Sequence, residues 1–309
     1  MAKESLRGAY GKTLLRLGRE NENIVVLDAD LAKSTKTLTF GKEISHRFID
    51  MGLSEQDMVS TAAGISLTGK TVFASSFCVF LAGRVYDQVR QSVCYNNANV
   101  KLVGTHSGLG VGEDGATHQM LEDLALMRPL PNMKIIVPAD AVETAQAVEY
   151  AAAQPGPFFI RLIRGSLETV YGDDYKFEFG RASALRPGKD IVIFAIGAMV
   201  EKALEAARLL ERDSIDAAVI NPATLKPLDK ETVVEYAGKA GAVITVEDHS
   251  IYGGLGSAIA ECLSQACPTK MKIIGTETFG RSGGVEDLYK HYKLTAQRMV
   301  EEARLLLTK

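Results

Sequence analysis

The stretch VKLVGTHSGLGVGEDGATHQ, residues 100–119, places an apolar, strand-like run before a loop with four glycines, and a helix is predicted after it. In an open parallel sheet, loops at the carboxyl ends of strands form the ligand crevice. His106, Asp114 and His118 lie among these glycines. Ionisable side chains interleaved with glycines pack poorly, so a binding site is favoured over a solvated turn. We call residues 105–119 the glycine loop.

The same alternation of elements extends over the first half of the chain. Strands are predicted at residues 24–28, 71–74, 100–104, 134–137 and 158–162, and helices at residues 6–18, 55–68, 81–95, 119–127 and 141–153. Short apolar strands that alternate with amphipathic helices indicate a parallel sheet with helices on both faces.

A break in this pattern between residues 165 and 188 divides the chain. A second α/β set follows, with strands at residues 191–195, 217–220, 242–246 and 272–274 and a last helix at 295–307. The sequence therefore predicts an α/β fold of two domains, each a mostly parallel sheet flanked by helices. The expected bounds are 1–168 for the first domain, 169–187 for a linker and 188–309 for the second domain.

The composition argues against several classes of protein. The 309 residues are 46% hydrophobic and 24% charged, a balance that can bury a full core. A net charge of −3 gives no electrostatic case for nucleic acid or an anionic membrane. No apolar stretch is long enough to span a bilayer, and the first residues lack the apolar run of a secretory signal. The four cysteines lack metal-ligand spacing and are expected to be free thiols in a cytoplasmic protein.

A second candidate site is the run MGLSEQDMV, residues 51–59, where a loop is predicted to become a helix. Glu55 starts this helix beside the small apolar run at residues 62–67. An ionised carboxylate on an apolar wall is costly, so this residue is expected to hold a proton more tightly than a surface glutamate does. The alternative is a helix-start glutamate favoured by the dipole, with Ser54 as N-cap, and taken alone the residue favours that simpler interpretation.

Together these motifs resemble the C-terminal half of transketolase over nearly the whole chain. Residues 54–58 are similar to the family motif whose glutamate contacts an aminopyrimidine ring, and the glycine loop matches the family's substrate loop in order and spacing. Further matches are Arg7, residues 28–34 and Arg164. Each motif is weak alone, but the combination is highly specific.

The resemblance implies a thiamine diphosphate enzyme. Glu55 would hydrogen-bond a pyrimidine ring nitrogen and favour the imino tautomer that activates the thiazolium carbon. Phe80 would stack on the pyrimidine, whereas Phe77 fits an ordinary core aromatic about equally well. Asp30 would lie near the cofactor, and a strand-end cap is its alternative role.

The resemblance also implies the substrate contacts. His106 and His118, catalytic together with Glu55, would contact the sugar hydroxyls and the ketose carbonyl and relay protons near neutral pH. Asp114 would accept hydrogen bonds from a hydroxyl of defined stereochemistry. The residues expected to hold the sugar phosphate are Arg7, Ser34 and Arg164. A surface position for Arg7, and Arg161 in place of Arg164, remain alternatives.

Two stretches depart from these patterns. Transketolases commonly carry a further aromatic one turn after the second phenylalanine, but this chain has Gly83 there and Tyr86 nearby, which leaves that pocket wall unpredicted. The run YGGLG at residues 252–256 looks like a nucleotide-binding turn but does not complete the dinucleotide fingerprint, so a structural turn is expected. Three other histidines, expected to be structural or exposed, are His46, His249 and His291.

The sequence lacks the Gly-Asp-Gly motif through which the family holds the diphosphate by magnesium. The resemblance therefore implies that thiamine diphosphate and Mg²⁺ are completed by an N-terminal transketolase subunit, with no metal ligand in this chain. Two copies of each subunit would form an α2β2 heterotetramer acting on sugar phosphates.

Three other functions are weighed against this one. A deoxyxylulose-phosphate synthase resembles the chain at Asp114, His118 and residues 86–88, but His106 fits transketolase better. The beta subunit of a 2-oxo acid dehydrogenase has the same two domains but needs no sugar-binding loop. A non-catalytic assembly subunit could keep the fold without activity, which the intact set of candidate residues argues against.

Overall fold

The computed structural model describes residues 3–172 and 174–308. Its strands are β1 (Lys3–Ser5), β2 (Ile24–Asp28), β3 (Phe48–Asp50), β4 (Thr71–Phe77), β5 (Val100–Thr105), β6 (Lys134–Ile136), β7 (Phe158–Arg161), β8 (Ser166–Glu168), β9 (Ser183–Arg186), β10 (Ile191–Ala195), β11 (Ala217–Asn221), β12 (Thr224–Lys226), β13 (Ala242–Ser250) and β14 (Lys270–Thr276). Its α-helices are α1 (Leu6–Glu20), α2 (Ala32–Thr35), α3 (Leu38–Glu43), α4 (Glu55–Ser66), α5 (Tyr86–Gln88), α6 (Asp123–Met127), α7 (Ala141–Ala153), α8 (Met199–Glu211), α9 (Lys230–Ala240), α10 (Leu255–Ala266), α11 (Val285–His291) and α12 (Ala296–Leu307).

The first sheet has the order β12-β6-β7-β5-β4-β2-β3 and is parallel except at β12. Its central strands β4 and β5 are buried along their whole length, which explains why the sequence shows continuous apolar runs rather than alternation. Apolar residues of α1 and α7 pack on one face, and those of α4 and of residues 79–95 pack on the other. The predicted arrangement of helices on both faces is confirmed.

The second sheet has the order β14-β13-β10-β11-β9, with β9 the antiparallel edge strand. Helices α8 and α12 pack on one face, and α9 and α10 pack on the other. Since β9 lies within residues 169–187, the predicted linker contributes a strand to the second sheet. The apolar spacing of this short, half-buried edge strand was too weak to reveal it.

A strand from the second half of the chain completes the first sheet. Within β12, Thr224 and Lys226 pair with residues of β6. The ammonium group of Lys226 also donates to the backbone carbonyls of Arg128 and Leu130, at 2.7 and 2.6 Å. The second half of the chain is therefore joined to the first sheet by backbone pairing as well as by side-chain packing.

The helix predicted over residues 81–95 is not a regular α-helix. It consists of π-helical segments at Val79–Arg84 and Val89–Tyr95 on either side of the short α5. π-helical turns occur often at functional sites because they displace side chains from regular helical spacing. The helix predicted over residues 119–127 begins later, at Asp123.

Two expectations from composition can be compared with the structure. Cys78, Cys94 and Cys262 are buried, Cys267 is half-buried, and all four are free thiols. Within residues 3–172 and 174–308, no helix has both the length and the apolar character needed to cross a membrane.

We expect the central strand β5 to dominate the stability of the first domain. Replacement Leu102→Ala removes a fully buried side chain and should lower the free energy of unfolding by about 2–5 kcal/mol. The control Leu67→Ala alters a side chain that is 74% exposed, and it should change that free energy by less than about 0.5 kcal/mol. Urea unfolding followed by circular dichroism compares the two variants, and equal effects would contradict this account of the core.

Candidate active site

The candidate residues meet at the carboxyl edge of the first sheet. The segments that follow β2, β4, β5 and β7 carry, respectively, Ser34, Phe80, the glycine loop and Arg164. Parallel strands bring their carboxyl ends to one edge, so residues distant in sequence become neighbours. Arg7 joins them from the first turn of α1, because β1 pairs with β8 immediately after the β7 segment.

Glu55 is the first residue of α4 and is only 2% exposed. Its Oε2 atom accepts a hydrogen bond from Nη1 of Arg84 at 2.7 Å, whereas its buried Oε1 has no partner in the described part of the chain. Ser54 precedes the helix without a side-chain capping bond, so the simpler N-cap interpretation lacks its main interaction. The expected dry environment is present, but the pairing with a guanidinium was not foreseen.

Phe77 and Phe80 form an aromatic wall beside this carboxylate. Their rings are nearly parallel, with centroids 6.0 Å apart. Phe77 is 8% exposed and Phe80 is half-buried, which leaves the second ring the more available for stacking. The guanidinium carbon of Arg84 lies 4.4 Å from the centroid of Phe80.

Arg84 is the site residue that sequence reasoning missed. It contacts both Glu55 and Phe80. The signal was present in the sequence: Arg84 stands four residues after Phe80, a spacing that places two side chains on one helix face.

His106 has a constrained backbone and a buried ring. Its φ angle of 55° lies in the left-handed region, which is uncommon for residues other than glycine and often marks functional sites. The ring is 3% exposed and stacks on Phe77 with centroids 3.6 Å apart. The aromatic wall therefore continues directly into the glycine loop, and Phe77 serves the site as well as the core.

The neighbours of His106 define its protonation state. Burial, followed by the charges of Arg7 and Arg164, lowers the pKa of His106 to about 3, so the ring is neutral near pH 7. Nη1 of Arg7 lies 3.3 Å from its Nε2, and an arginine can only donate, so Nε2 is the acceptor. The proton is then assigned to Nδ1, which lies 2.9 Å from Oγ1 of Thr105. The expected role of His106 as a proton relay near neutral pH does not fit this arrangement.

His118 and Asp114 are the accessible polar groups of the glycine loop. His118 is half-buried and turns its edge toward Phe80, with centroids 5.6 Å apart. Its Nδ1 lies 3.0 Å from Oγ1 of Thr117, which leaves Nε2 for a ligand. Asp114 lies 3.5 Å from Nη1 of Arg164, and both side chains are about 40% exposed.

Arg7 is not the surface residue that was weighed as an alternative. Its Nε and Nη2 donate to the carbonyl of Arg164, at 3.0 and 2.6 Å, and its Nη1 reaches the carbonyl of Ser34 at 2.7 Å as well as His106. These are four of the five N–H groups of a guanidinium. Arg7 therefore positions three segments of the site and retains little capacity to bind a phosphate directly.

The two candidate phosphate-binding arginines differ in their burial and in their partners. Arg161 is 5% exposed, pairs with Asp123 at 2.7 Å and donates to the carbonyl of Asp248 at 2.8 Å. Its charge is neutralised inside the protein, so the alternative that placed Arg161 on the phosphate is wrong. Arg164 lies beyond the end of β7, with its side chain 41% exposed.

Asp28, rather than Asp30, caps the end of β2. Its carboxylate accepts hydrogen bonds from the backbone of Leu31 and from the hydroxyls of Thr35 and Thr37, at 2.7–2.8 Å. Burial raises the pKa of Asp28 to about 6. Asp30 is exposed and has a φ angle of 60°, so the strand-end cap proposed as its alternative role is wrong.

Backbone N–H groups of the glycine cluster at residues 252–256 are already bound by a side chain of the protein. Glu247 accepts hydrogen bonds from the backbone N–H groups of Leu255 and Gly256, at 2.7 and 2.8 Å, where α10 begins. A helix N-terminus that already holds a carboxylate is not free for a phosphate. The interpretation of this run as a structural turn agrees with these contacts.

A buried carboxylate, an aromatic wall and a polar, glycine-rich loop thus lie together at one edge of the first sheet. Comparison with known proteins gives the family. The chain matches the transketolase pyrimidine binding domain over residues 2–169 and the transketolase C-terminal domain over residues 180–299. The chain belongs to the transketolase family.

Similar proteins have the same extent as this chain. A protein of Methanocaldococcus jannaschii described as a putative transketolase C-terminal section is 44% identical, with 97% of each chain covered. A 6-deoxy-6-sulfo-D-fructose transketolase subunit from a Clostridium species is 40% identical, with 96% of this chain and 93% of the relative covered. A solved structure described as split gene transketolase, inactive beta4 tetramer, has a TM-score of 0.91 at 47% identity and covers 99% of both chains. The chain thus matches the C-terminal section of transketolase over nearly its whole length.

The residues present fit the cofactor on which this family depends. An unpartnered, buried carboxylate oxygen is costly, and Oε1 of Glu55 can accept a hydrogen bond from a heterocycle. The half-buried ring of Phe80 offers a stacking surface nearby. In the part of the chain that the structure describes, no cluster of three histidine, cysteine or acidic side chains could hold a metal ion.

We expect the neutral state of His106 to make stability depend on pH. Its folded pKa of about 3 lies below the unfolded value of 6.5, so only the unfolded chain binds this proton between those values. Lowering the pH from 7 to 5 should therefore cost about 2 kcal/mol through this residue. His106→Asn, whose side chain tolerates a positive φ angle, should reduce the pH dependence by that amount in urea unfolding.

The exposed His46 provides the control for this measurement. His46→Asn should leave most of the pH dependence in place. An unchanged pH dependence in His106→Asn would contradict the neutral assignment.

Proposed function

We propose that this chain is the C-terminal subunit of a thiamine diphosphate-dependent transketolase that transfers a two-carbon ketol unit from a ketose phosphate to an aldose phosphate. The observation that carries the proposal is the convergence of Glu55 and Phe80 with the glycine loop and Arg164 at one sheet edge. The cofactor supplies the carbanion chemistry when it is bound. The protein orients the cofactor and recognises the sugar.

Each side chain has a distinct part in this proposal. The buried Oε1 atom of Glu55 would hydrogen-bond the pyrimidine ring nitrogen, and Phe80 would stack on that ring. Half-buried His118, whose Nδ1 lies beside Thr117, is proposed to contact the ketose oxygen through Nε2. Neutral His106 orients the glycine loop through its contacts with Phe77 and Arg7. Asp30, exposed at the end of β2, is proposed to border the cofactor.

Arg164 and Asp114 are proposed to select the substrate. Arg164 donates to the carbonyl of Val111 at 2.7 Å, and its side chain is 41% exposed, so further N–H groups remain for a phosphate. Ser34 and Arg7 border the same segment. Asp114 accepts hydrogen bonds from a sugar hydroxyl. Because one relative is described as a 6-deoxy-6-sulfo-D-fructose transketolase subunit, a sulfonated sugar is the competing substrate class.

We propose that the site is completed by an N-terminal subunit that holds the diphosphate through Mg²⁺, in a cytoplasmic α2β2 heterotetramer of the pentose phosphate pathway. A similar solved structure is described as an inactive beta4 tetramer, which supports dependence on a partner. Free thiols support a reducing compartment.

Glu55→Gln tests the catalytic carboxyl. The amide keeps the size of the side chain but cannot share a carboxyl proton, so turnover by the reconstituted enzyme should fall at least ~100-fold. The measurement is a coupled assay with xylulose 5-phosphate and ribose 5-phosphate, together with gel filtration to verify assembly. Asp57→Asn, an exposed change two residues further along α4, is the matched control and should retain activity. Retained activity in Glu55→Gln would place the catalytic carboxyl elsewhere.

The partner requirement is tested with the chain alone. Titration with thiamine diphosphate and Mg²⁺ should give no tight binding and no turnover, whereas addition of the N-terminal subunit should restore both. Full turnover by the isolated chain would refute the split enzyme. Parallel assays with a sugar phosphate, a sugar sulfonate and pyruvate separate transketolase from the sulfonate-specific and 2-oxo acid alternatives.

A further inference from the structure

The second domain holds the backbone of the glycine loop through one buried carboxylate. Asp248, near the end of β13, is 4% exposed. Its Oδ1 accepts the N–H of Leu109 at 2.9 Å, and its Oδ2 accepts the N–H of Gly110 at 3.3 Å and the hydroxyl of Tyr289 at 3.0 Å. The carboxylate is thus shared between the loop and α11 of the second domain.

The loop is built to fit against this carboxylate. Gly108 has a φ angle of 66°, and a Cβ atom at this position would collide with the side chain of Asp248. Arg161 donates to the backbone carbonyl of Asp248 at 2.8 Å and pairs with Asp123. The guanidinium group of Arg161 therefore lies close to Asp248. Burial raises the pKa of Asp248, while Arg161 and the backbone donors act in the opposite direction.

Two further hydrogen bonds from the second domain hold the rest of the loop. The hydroxyl of Ser282 donates to the carbonyl of Glu113 at 2.6 Å, next to Asp114. The amide nitrogen of Gln119, next to His118, donates to the carbonyl of Arg281 at 2.9 Å. The second domain therefore contacts the loop near its start, beside Asp114 and beside His118.

The loop has little regular structure of its own to replace these contacts. Leu109–Asp114 forms 3₁₀ turns that are interrupted at Gly112, whose φ and ψ angles of 79° and −121° are not helical. The positions of Asp114 and His118 therefore depend on contacts from the second domain in addition to those of Arg164, which donates to the carbonyl of Val111 at 2.7 Å and lies 3.5 Å from Asp114.

We propose that Asp248, assisted by Ser282 and Tyr289, is a positioning residue that gives the second domain its role in the reaction: it fixes the sugar-binding geometry of the glycine loop. This inference rests on the proposed function for its substrate. Glu55 and Phe80 lie on other elements, so loosening the loop should weaken recognition of the sugar and leave the cofactor contacts intact.

The experiment uses Asp248→Asn, Tyr289→Phe and Ser282→Ala in the full chain reconstituted with its N-terminal subunit. Loss of one anchoring hydrogen bond should raise the KM for the ketose phosphate about tenfold, with the dissociation constant of thiamine diphosphate changed less than about twofold. Hydrogen–deuterium exchange of residues 108–115, measured in this chain alone, should become about tenfold faster in the same variants.

Ser264→Ala is the matched control, because its hydroxyl donates to the carbonyl of Glu261 on the exposed side of α10 and does not touch the loop. It should change neither readout. If Asp248→Asn fails to fold, Ser282→Ala at an exposed position and the conservative Tyr289→Phe still test whether these hydrogen bonds hold the loop.

Unchanged exchange in the variants would overturn the anchoring, and faster exchange with an unchanged KM would overturn the role in sugar recognition. An unmodified, reconstituted enzyme without transketolase activity would instead refute the proposed function. The exchange comparison still tests the anchor in that case, so the two failures can be told apart.

Discussion

The guanidinium of Arg7 is the interaction on which the site depends. It links the first turn of α1 to the carbonyls of Ser34 and Arg164 and to the ring of His106, so it joins segments that follow three different strands. Burial and the neighbouring Arg164 lower the pKa of Arg7, yet a guanidinium stays charged under physiological conditions. Burial lowers the pKa of His106 most, the charge of Arg7 lowers it further, and the donor on Arg7 defines which ring nitrogen carries the proton.

As a consequence, residues of the same type that look equivalent in sequence have different roles in the site. The N–H groups of Arg7 and Arg161 bind other groups of the protein, whereas part of the Arg164 side chain is exposed to solvent. His106 and His118 occupy the same loop, but one is buried between an arginine and a phenylalanine and the other is half-buried with Nε2 accessible. The residue types identified the candidate site residues. The number of contacts that each side chain makes inside the protein then distinguishes the residues that position the site from those that are free to bind substrate.

The sequence was sufficient for the two α/β domains and for most strands, because the central strands are buried on both faces and read as continuous apolar runs. It was not sufficient for β9 or the π-helical segments, whose apolar spacing is short or irregular. In the site, the family pattern supplied Glu55 and the glycine loop, and their roles stay predictions. Arg84 could have been found by helical spacing. Asp248 could not, because its partners in the glycine loop lie 138 and 139 residues away in sequence, across a domain boundary.

The strand β12 has a consequence for the modularity of this chain. It belongs by sequence to the second domain but occupies the outer edge of the first sheet, where it covers β6. A cut between the domains would expose the backbone groups of β6, and open edges of this kind template aggregation. Exchange of the first domain with that of a relative would have to include residues 224–226, because these residues cover the edge of its sheet.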